Sequence, residues 1–256
     1  MRCKNANGNK SINFTDLVFR QINLGKRKLA MVDLAQVSSK GPFINIIQEQ
    51  HLLRNNKLSN LDPQHQILSV AQSVPRAAIY AHKDIPVWFN HNLSDSDIVT
   101  CLWIRKDNNG TKVMVVSCYW DIFLEEPPKK LEKTINYAKR NKYSVIIGMD
   151  SNAHTTLTGS NETNARGRHL EDFILKHNLE ICNRGNTSTY DSHLGSSIID
   201  ITLVTPDLTD KIAEWKVHET ENYSDHNTIT FKMKTPSPEV QLKRNYAELD
   251  TDRFSE

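Results

Sequence analysis

The sequence has little of what marks membrane, secreted or zinc-binding proteins. Its apolar runs are short, as at residues 113–116, and none could cross a bilayer, so we predict no membrane partner. The first ten residues are polar, which is not the pattern of a secretion signal. The four cysteines form no Cys-x-x-Cys pair, which argues against a zinc site and favours a reducing compartment.

Strong charge bias, internal repeats and the common nucleotide-binding motifs are also missing. The formal net charge of +2 indicates no basic surface overall, although one cleft can still be locally basic. There is no Walker motif, Gly-rich dinucleotide fingerprint or Ser-centred elbow, which disfavours nucleotide-triphosphate and hydride chemistry. With 256 residues, 38% of them hydrophobic, the chain has the composition of one large globular domain or two small ones.

What the sequence does contain is a series of short apolar segments separated by a few helical patterns. Helical spacing predicts an early helix around Met31, a second after Pro128 and a third that follows Gly167. Residues 51–75 lack periodicity and predict a surface excursion, and residues 107–110 (Asp-Asn-Asn-Gly) predict a hairpin turn. Strands are predicted at residues 16–23, 43–48, 76–80, 87–89, 98–104, 113–119, 180–182, 198–204, 215–218 and 228–231.

This order of elements predicts an α/β or α+β fold with two layers of sheet. Two sheets packed face to face and flanked by helices would accommodate the many strands and few helices. We expect residues 1–14 to form a flexible leader and residues 15–234 to form the folded domain. Proline and charge dominate residues 235–256, which predicts a linker-like tail.

Acids that end apolar segments mark the candidate site. A buried apolar run ends in Asp150, and Asn152 follows two residues later. Because side chains alternate in extended backbone, we expect both to face the same side of the sheet. A second apolar run ends in Asp200, and Asp225 precedes His226. Carboxylates can hold a divalent metal and an imidazole can transfer a proton, so these groups predict a metal-assisted hydrolase.

These residues also occur in an order typical of one superfamily. The ordered motifs are Gln21-Ile22-Asn23, Gln48-Glu49, Tyr119, Asp150-x-Asn152, Ser197-x-Ile199-Asp200 and Ser224-Asp225-His226. They resemble the endonuclease/exonuclease/phosphatase superfamily, and within it the apurinic-endonuclease-like endonuclease domain of non-LTR retrotransposons. Two further stretches typical of those elements are Asn164-x-Arg166-Gly167 and Thr189-Tyr190. The resemblance covers roughly residues 16–232 and implies a four-layer sandwich, with two packed mixed sheets between helices.

The resemblance also implies a magnesium site, with Mn²⁺ as a substitute. On that template Glu49 would hold the metal, with Asn23 nearby as a ligand or a positioning group. Asp225 would sit beside the metal. Magnesium prefers one or two carboxylates together with water, which agrees with this small set of protein ligands.

The catalytic roles follow from the same resemblance. Asp150 would orient or deprotonate the attacking water, Asn152 would hold a phosphate oxygen and Tyr119 would donate to the phosphate. His226 would stabilise the phosphorane or transfer a proton, oriented by Asp200. Spacing leaves open whether Asp150 or His226 is the general base. Substrate contacts would come from Thr189, Ser224 and Arg166, the last of which could equally belong to the start of a helix.

The implied function is to nick one strand of double-stranded DNA. The exposed 3′-hydroxyl would prime reverse transcription by a reverse transcriptase domain that follows on the same polypeptide. The chain would be made in the cytoplasm and act in the nucleus. Loops such as residues 155–165 and 190–196 carry no readable code for a target sequence.

The sequence departs from the usual motifs of the superfamily at two places. Gly148-Met149-Asp150 has one residue more than the usual Gly-Asp, and Gln50-His51 replaces the Pro-Tyr of many relatives.

Two alternative functions remain open. One alternative is another phosphoesterase of the superfamily, acting on inositol phosphates, sphingomyelin or poly(A). The other is a binding module that has lost the chemistry, although every matched position holds a competent residue.

Overall fold

The computed structural model describes residues 16–54, 58, 62–70, 74–105, 110–219 and 222–234. The predicted leader, the predicted tail and residues 107–109 of the predicted turn lie outside these ranges. Within them, no helix is long and apolar enough to span a membrane.

Three α-helices and fourteen strands are described. The helices are α1 (Lys28–Ser38), α2 (Lys129–Asn141) and α3 (Ala165–His177). The strands are β1 (Asp16–Asn23), β2 (Phe43–Gln48), β3 (His65–Leu68), β4 (Ala77–His82), β5 (Val87–Phe89), β6 (Ile98–Ile104), β7 (Lys112–Tyr119), β8 (Ser144–Asp150), β9 (Glu180–Ile181), β10 (Tyr190–Ser192), β11 (Gly195–Ser197), β12 (Asp200–Val204), β13 (Ile212–His218) and β14 (Thr228–Lys234).

The strands form two mixed six-stranded sheets and one hairpin. The first sheet has the order β13-β14-β1-β2-β4-β3, in which only β1 and β2 are parallel. The second has the order β5-β6-β7-β8-β12-β9, in which only β7 and β8 are parallel. Strands β10 and β11 pair with each other. In each sheet the parallel pair lies near the centre, so its strand ends come together at one edge.

The predicted four-layer sandwich is confirmed by how these elements pack. The two sheets share a core in which the rings of Phe19 and Phe231 stack at 5.0 Å and Trp103 meets Phe19 edge-on. Helix α1 buries Met31 and Leu34 against the outer face of the first sheet. Helices α2 and α3 cover the outer face of the second sheet through a separate apolar cluster.

Helix α3 begins earlier than the sequence suggests. It was predicted to follow Gly167, but it starts at Ala165 because the Asn164 side chain caps it, accepting from the Gly167 backbone N–H at 2.7 Å. Glycine is needed at position 167 because a Cβ there would lie 1.8 Å from the carbonyl oxygen of His154. The start of the helix thus lies directly against the loop that follows β8.

Two described segments contain strands where the sequence predicts loops. Strand β3 lies within the predicted excursion of residues 51–75, and the β10–β11 hairpin occupies predicted loop 190–196. In β3 the buried position at residue 65 is a histidine, and its Nδ1 lies 2.9 Å from the Asp62 carboxylate. The alternation of apolar residues that predicts a half-buried strand is therefore interrupted there. The short hairpin is polar and carries no apolar alternation.

Candidate active site

The central strands of both sheets end at a common edge, and the candidate residues collect there. Asn23 ends β1 and Glu49 follows β2, which is its parallel neighbour. Asp150 ends β8 in the other sheet and is paired with Tyr119 on β7 and with Asp200 on β12. Motifs that are far apart in the sequence therefore lie together in one cluster.

Asp150 lies at the centre of this cluster and is only 1% exposed. The Nδ2 of Asn23 donates to its Oδ2 at 2.8 Å, which is a contact between the two sheets. The backbone N–H of Asn152 reaches its Oδ1 at 3.3 Å. Burial, and next the nearby charge of Asp200, raise the pKa of Asp150 to about 7. Its carboxyl group can therefore change protonation state near neutral pH.

Asp200 and His226 form a buried pair. The Nδ1 of His226 lies 2.8 Å from Oδ2 of Asp200, while the other oxygen, Oδ1, is buried without a hydrogen-bond partner. Burial works against protonation of His226, but the Asp200 carboxylate more than offsets it and raises the pKa of His226 to about 9. The ring of Tyr190 packs edge-on against the imidazole at 4.8 Å. The imidazole is therefore held in place and favours its charged form.

Two hydroxyl side chains predicted to contact substrate form hydrogen bonds with the backbone around this pair. Thr189 is fully buried, and its Oγ1 accepts from the backbone N–H groups of Ile199 and Asp200. The Ser224 hydroxyl donates to the carbonyl of Asn23 at 2.7 Å and accepts from the backbone N–H of His226 at 3.1 Å. These contacts favour positioning roles for Thr189 and Ser224 over the predicted contacts with phosphate.

Tyr119 lies beside the acids and is partly buried. Burial, followed by the charges of Glu49 and Asp150, raises the pKa of its phenol to about 12. The guanidinium carbon of Arg76 lies 4.8 Å from the centre of its ring. At neutral pH the phenol stays protonated and can donate a hydrogen bond.

The three residues predicted as a metal site each have other partners in the structure. Asn23 bonds to Asp150 and, more distantly, to Glu49 at 3.4 Å, and its own Oδ1 accepts from the Gly25 backbone N–H. Glu49 has a φ of 45° and forms an ion pair with Lys26 at 3.0 Å. The structure places Asp225 in an ion pair with Arg27 at 2.6 Å.

A second group of residues could also hold a divalent cation. Ligand atoms of Asp150, Asp200 and His226 all lie within 4.8 Å of one another, and all three side chains are buried. Among the His, Cys, Asp and Glu side chains of the described ranges, this is the group with that geometry. The unpartnered Oδ1 of Asp200 is a hard oxygen donor of the kind that Mg²⁺ and Mn²⁺ prefer. The cluster can therefore hold a metal ion.

Asn152 and Arg166 both bond to backbone carbonyls. Strand β8 ends at Asp150, and Asn152 has a φ of 48°, so the argument from strand alternation does not extend to Asn152. The Nδ2 of Asn152 donates to the carbonyl of Trp120 at 3.2 Å. The guanidinium of Arg166 stacks over the Trp120 ring at 4.1 Å and donates to several backbone carbonyls. These belong to Trp120, Asp121, Ile122, Leu124, Ser151 and Asn152.

With its donors directed at carbonyls, Arg166 joins the loop after β7 to the loop after β8. This favours a positioning role over the predicted contact with phosphate. Residues that the sequence reasoning missed are Arg76, Asp97 and Asp121, which surround Tyr119. Asp121 stands two residues from Tyr119 and gave a weak signal, whereas Arg76 precedes a strand with no motif around it.

Two packed mixed sheets with an acidic site at their shared edge define the endonuclease/exonuclease/phosphatase fold. A family model described as "Endonuclease-reverse transcriptase" matches residues 113–230. The structure is similar to the endonuclease domain of TRAS1, a telomere-specific non-LTR retrotransposon, with a TM-score of 0.71 and 29% identity. That alignment covers 86% of this chain and 100% of the TRAS1 domain.

Two further likenesses are more distant. AP endonuclease LMAP from Leishmania major aligns with a TM-score of 0.69 over 87% of this chain and 89% of its own, and at 12% identity it shows the fold alone. A 115 kDa protein of the type-1 retrotransposable element R1DM of Drosophila melanogaster is 22% identical over 222 residues. Those residues are 83% of this chain and 21% of that protein, so the chain spans about a fifth of its length. The predicted resemblance to non-LTR retrotransposon endonuclease domains is confirmed.

Proposed function

We propose that this chain is a divalent-metal-dependent endonuclease that hydrolyses a DNA phosphodiester and nicks one strand. The observation that carries the proposal is the buried cluster of Asp150, Asp200 and His226, joined across the two sheets by Asn23. The likeness to the TRAS1 endonuclease domain and the matched family model support DNA as the substrate. No observation favours another phosphoesterase of the superfamily.

The two titrating groups divide the proton transfers between them. Asp150, with a pKa of about 7, can accept the proton of the attacking water near neutral pH. His226, with a pKa of about 9, is already protonated there, so it serves poorly as a base. The charged imidazole can instead stabilise the negative phosphorane and supply a proton to the leaving oxygen. With Nδ1 engaged by Asp200, Nε2 is the ring nitrogen left for this role.

The remaining side chains hold the reacting groups in place. Tyr119 keeps its proton because its pKa is about 12, and its phenol can donate to a phosphate oxygen. Asn23 orients the Asp150 carboxylate, and Thr189 fixes the backbone at Asp200. Ser224 joins the end of β1 to the loop that carries His226. A fixed arrangement lowers the entropic cost of bringing water and phosphate together.

A divalent ion would neutralise charge on the phosphate when bound. Asp200 could hold it through its unpartnered Oδ1, and Glu49 is a further carboxylate whose pairing with Lys26 the metal would have to replace. Asp150 and His226 then stay free for the proton transfers. We propose Mg²⁺, with Mn²⁺ as a substitute, because the carboxylates supply hard oxygen ligands.

We also propose the wider role that the retrotransposon relatives suggest. The nick would leave a 3′-hydroxyl that primes reverse transcription by a reverse transcriptase domain of the same polypeptide, acting in the nucleus. The family model carries both activities in its description, and the R1DM protein is about five times as long as the aligned segment.

Conversion of supercoiled plasmid to open circles tests the proposal, with Mg²⁺ and with EDTA. We expect metal-dependent nicking by the wild-type chain and a loss of at least about a hundredfold in His226→Ala, since a stabilising charge is removed. His169→Ala, on the partly exposed side of α3, is the matched control and should nick normally. Release of inorganic phosphate from inositol phosphates without nicking would overturn the assignment.

Metal binding is the second arm of the same experiment, measured by titration calorimetry with Mg²⁺ and Mn²⁺. If the buried cluster holds the ion, Asp200→Asn weakens binding more than Glu49→Gln does. The reverse order would assign the metal to Glu49 instead.

A further inference from the structure

Arg76, just before β4, is held by two acids and lies over the ring of Tyr119. Its Nε and Nη2 donate to the two carboxylate oxygens of Asp97 at 2.6 and 2.7 Å. Its Nη1 donates to Asp121, so the guanidinium is fixed by three hydrogen bonds to two carboxylates. Its carbon lies 4.8 Å from the centre of the Tyr119 ring. A planar guanidinium held in this way is a rigid surface for an aromatic ring.

The two acids that hold Arg76 both lie next to Tyr119. Asp121 stands two residues after the tyrosine, and the carbonyl of Asp97 accepts from the Tyr119 backbone N–H at 2.8 Å. Arg76 itself belongs to the first sheet, whereas Tyr119 ends β7 in the second. The ion pairs therefore hold the Tyr119 segment against the opposite sheet.

The backbone of Arg76 reaches a second site residue. Its carbonyl oxygen accepts from the backbone N–H of Glu49 at 2.8 Å, and its own N–H donates to the carbonyl of Ser96 at 2.6 Å. Glu49 has left-handed backbone, so this hydrogen bond helps to keep a strained residue in place. One residue thus contacts both the tyrosine and the glutamate of the site.

Charges of both signs surround the ring of Tyr119. The hydrogen bonds that Arg76 donates to Asp97 come first among the effects that raise its pKa, so it is always charged. Burial and then the charges of Glu49 and Asp150 raise the pKa of Tyr119, and the positive charge of Arg76 opposes them. The phenol therefore remains a neutral donor in a pocket that two acids would otherwise dominate.

We propose that Arg76, held by Asp97 and Asp121, is a positioning residue that fixes the Tyr119 phenol for contact with the scissile phosphate. This inference rests on the proposed nuclease function, because that function gives Tyr119 a phosphate to contact. The competing explanation is an ordinary ion pair between the two sheets. That explanation predicts a loss of stability that is independent of the phenol hydroxyl.

A double-mutant cycle separates the two explanations. We expect Arg76→Gln to lower kcat for nicking about tenfold with little change in KM, because the phenol contact strengthens in the transition state. In a Tyr119→Phe background the same substitution should cost less than about twofold, since no hydroxyl is left to position. Arg76→Lys keeps the charge and loses the planar guanidinium. Its kcat should therefore lie between those of the wild type and Arg76→Gln.

Arg20 provides a matched control. Its guanidinium also stacks on an aromatic ring, that of Phe43 at 3.6 Å, but on the α1 side of the first sheet. Arg20→Lys should leave kcat and KM unchanged. Equal losses from Arg76→Gln in the wild-type and Tyr119→Phe backgrounds, or an unchanged kcat, would overturn the proposal.

A readout that needs no catalysis keeps this inference distinct from the proposed function. Fluorotyrosine incorporated at position 119 reports the ring by fluorine NMR, and Arg76→Gln should shift and broaden its resonance. An unchanged resonance would overturn the positioning role. A changed resonance in a chain that nicks no DNA would leave the positioning role standing and reject the nuclease.

Discussion

At the scale of single residues, the ionisable side chains at the centre of the site are buried from water. Asp150, Asp200 and His226 are each less than a tenth exposed. Removing water disfavours the charged forms of Asp150 and His226, so the pKa of each depends on its neighbours. For His226 the neighbour is Asp200, and the result is a protonated imidazole well above the pH where a free histidine loses its proton.

This protonated imidazole makes stability depend on pH. The pKa of His226 is about 9 in the folded chain and near its ordinary value of about 6.5 when unfolded. Its stabilisation is therefore complete below about pH 6.5 and is lost as pH rises through about 9. In metal-free buffer we expect the wild type to lose about 3 kcal/mol more than His226→Gln across that window.

Urea unfolding at several pH values measures this difference. The variant serves as the control because the lysines, tyrosines and cysteines of the chain titrate in both proteins. Asp150 affects a lower window: its pKa is also raised, so its contribution declines between about pH 4 and 7. Parallel pH curves for the two proteins between pH 6.5 and 9 would contradict the coupling of His226 to Asp200.

At the scale of elements, the start of α3 is packed unusually close to the loop after β8. The Asn164 side chain caps the helix, and Gly167 allows the carbonyl of His154 to approach. Arg166, between them, reaches the carbonyls of Ser151 and Asn152. The helix start and the Asp150 loop therefore behave as one unit.

Adding a methyl group at position 167 should break this unit. In Gly167→Ala the new Cβ would lie 1.8 Å from a backbone carbonyl oxygen, so the loop has to move. We expect a loss of about 3 kcal/mol in the free energy of unfolding and impaired nicking. Gly41→Ala is the control, because its Cβ would meet only the Phe43 side chain at 3.6 Å or more. Equal stability of both variants in urea would refute the close packing.

Sequence patterns predicted elements where burial follows a simple period. Strands β1 and β2 have the predicted bounds because buried apolar residues such as Phe19 and Ile46 recur along them, although polar residues such as Gln21 and Gln48 are buried there as well. Strand β3 was missed because His65, paired with Asp62, takes an inward position that a pattern reserves for apolar residues. The end of α3 at His177 was visible from helical spacing, but its start depends on a cap and a contact with a distant loop.

The same limit applies to the site. The motifs named the acids and the histidine because their order along the chain is distinctive. They did not reveal that Arg166 bonds to carbonyls or that Arg76 lies over Tyr119. The partners of both arginines lie 14 to 46 residues away in the sequence, and only the folded chain brings them together.

At the scale of the whole molecule, buried glutamines join the two sheets beneath the site. The Nε2 of Gln21 donates to the carbonyls of Met149 and Ile201. The Nε2 of Gln48 donates to the carbonyl of Gly148 at 3.2 Å and to the Ser117 hydroxyl. Each glutamine lies on the first sheet and bonds to the second, just below the residues that carry charge.

Replacing one of these glutamines should weaken the packing of the two sheets against each other. Gln48→Leu leaves a buried carbonyl without its donor, so we expect the free energy of unfolding to fall by about 2 kcal/mol. Nicking should fall as well, because Glu49 is the next residue. Gln36→Leu on the exposed side of α1 is the control and should change stability by less than about 0.5 kcal/mol. A loss of the same size in both variants would argue against the inter-sheet bonds.

The position of β14 has a consequence for the order of events during synthesis. This last described strand lies inside the first sheet, between β13 and β1, and His226 stands just before it. A ribosome must therefore release nearly the whole described chain before His226 can pair with Asp200. Until then the growing polypeptide has no assembled site, so we expect its incomplete forms to be unable to cleave DNA.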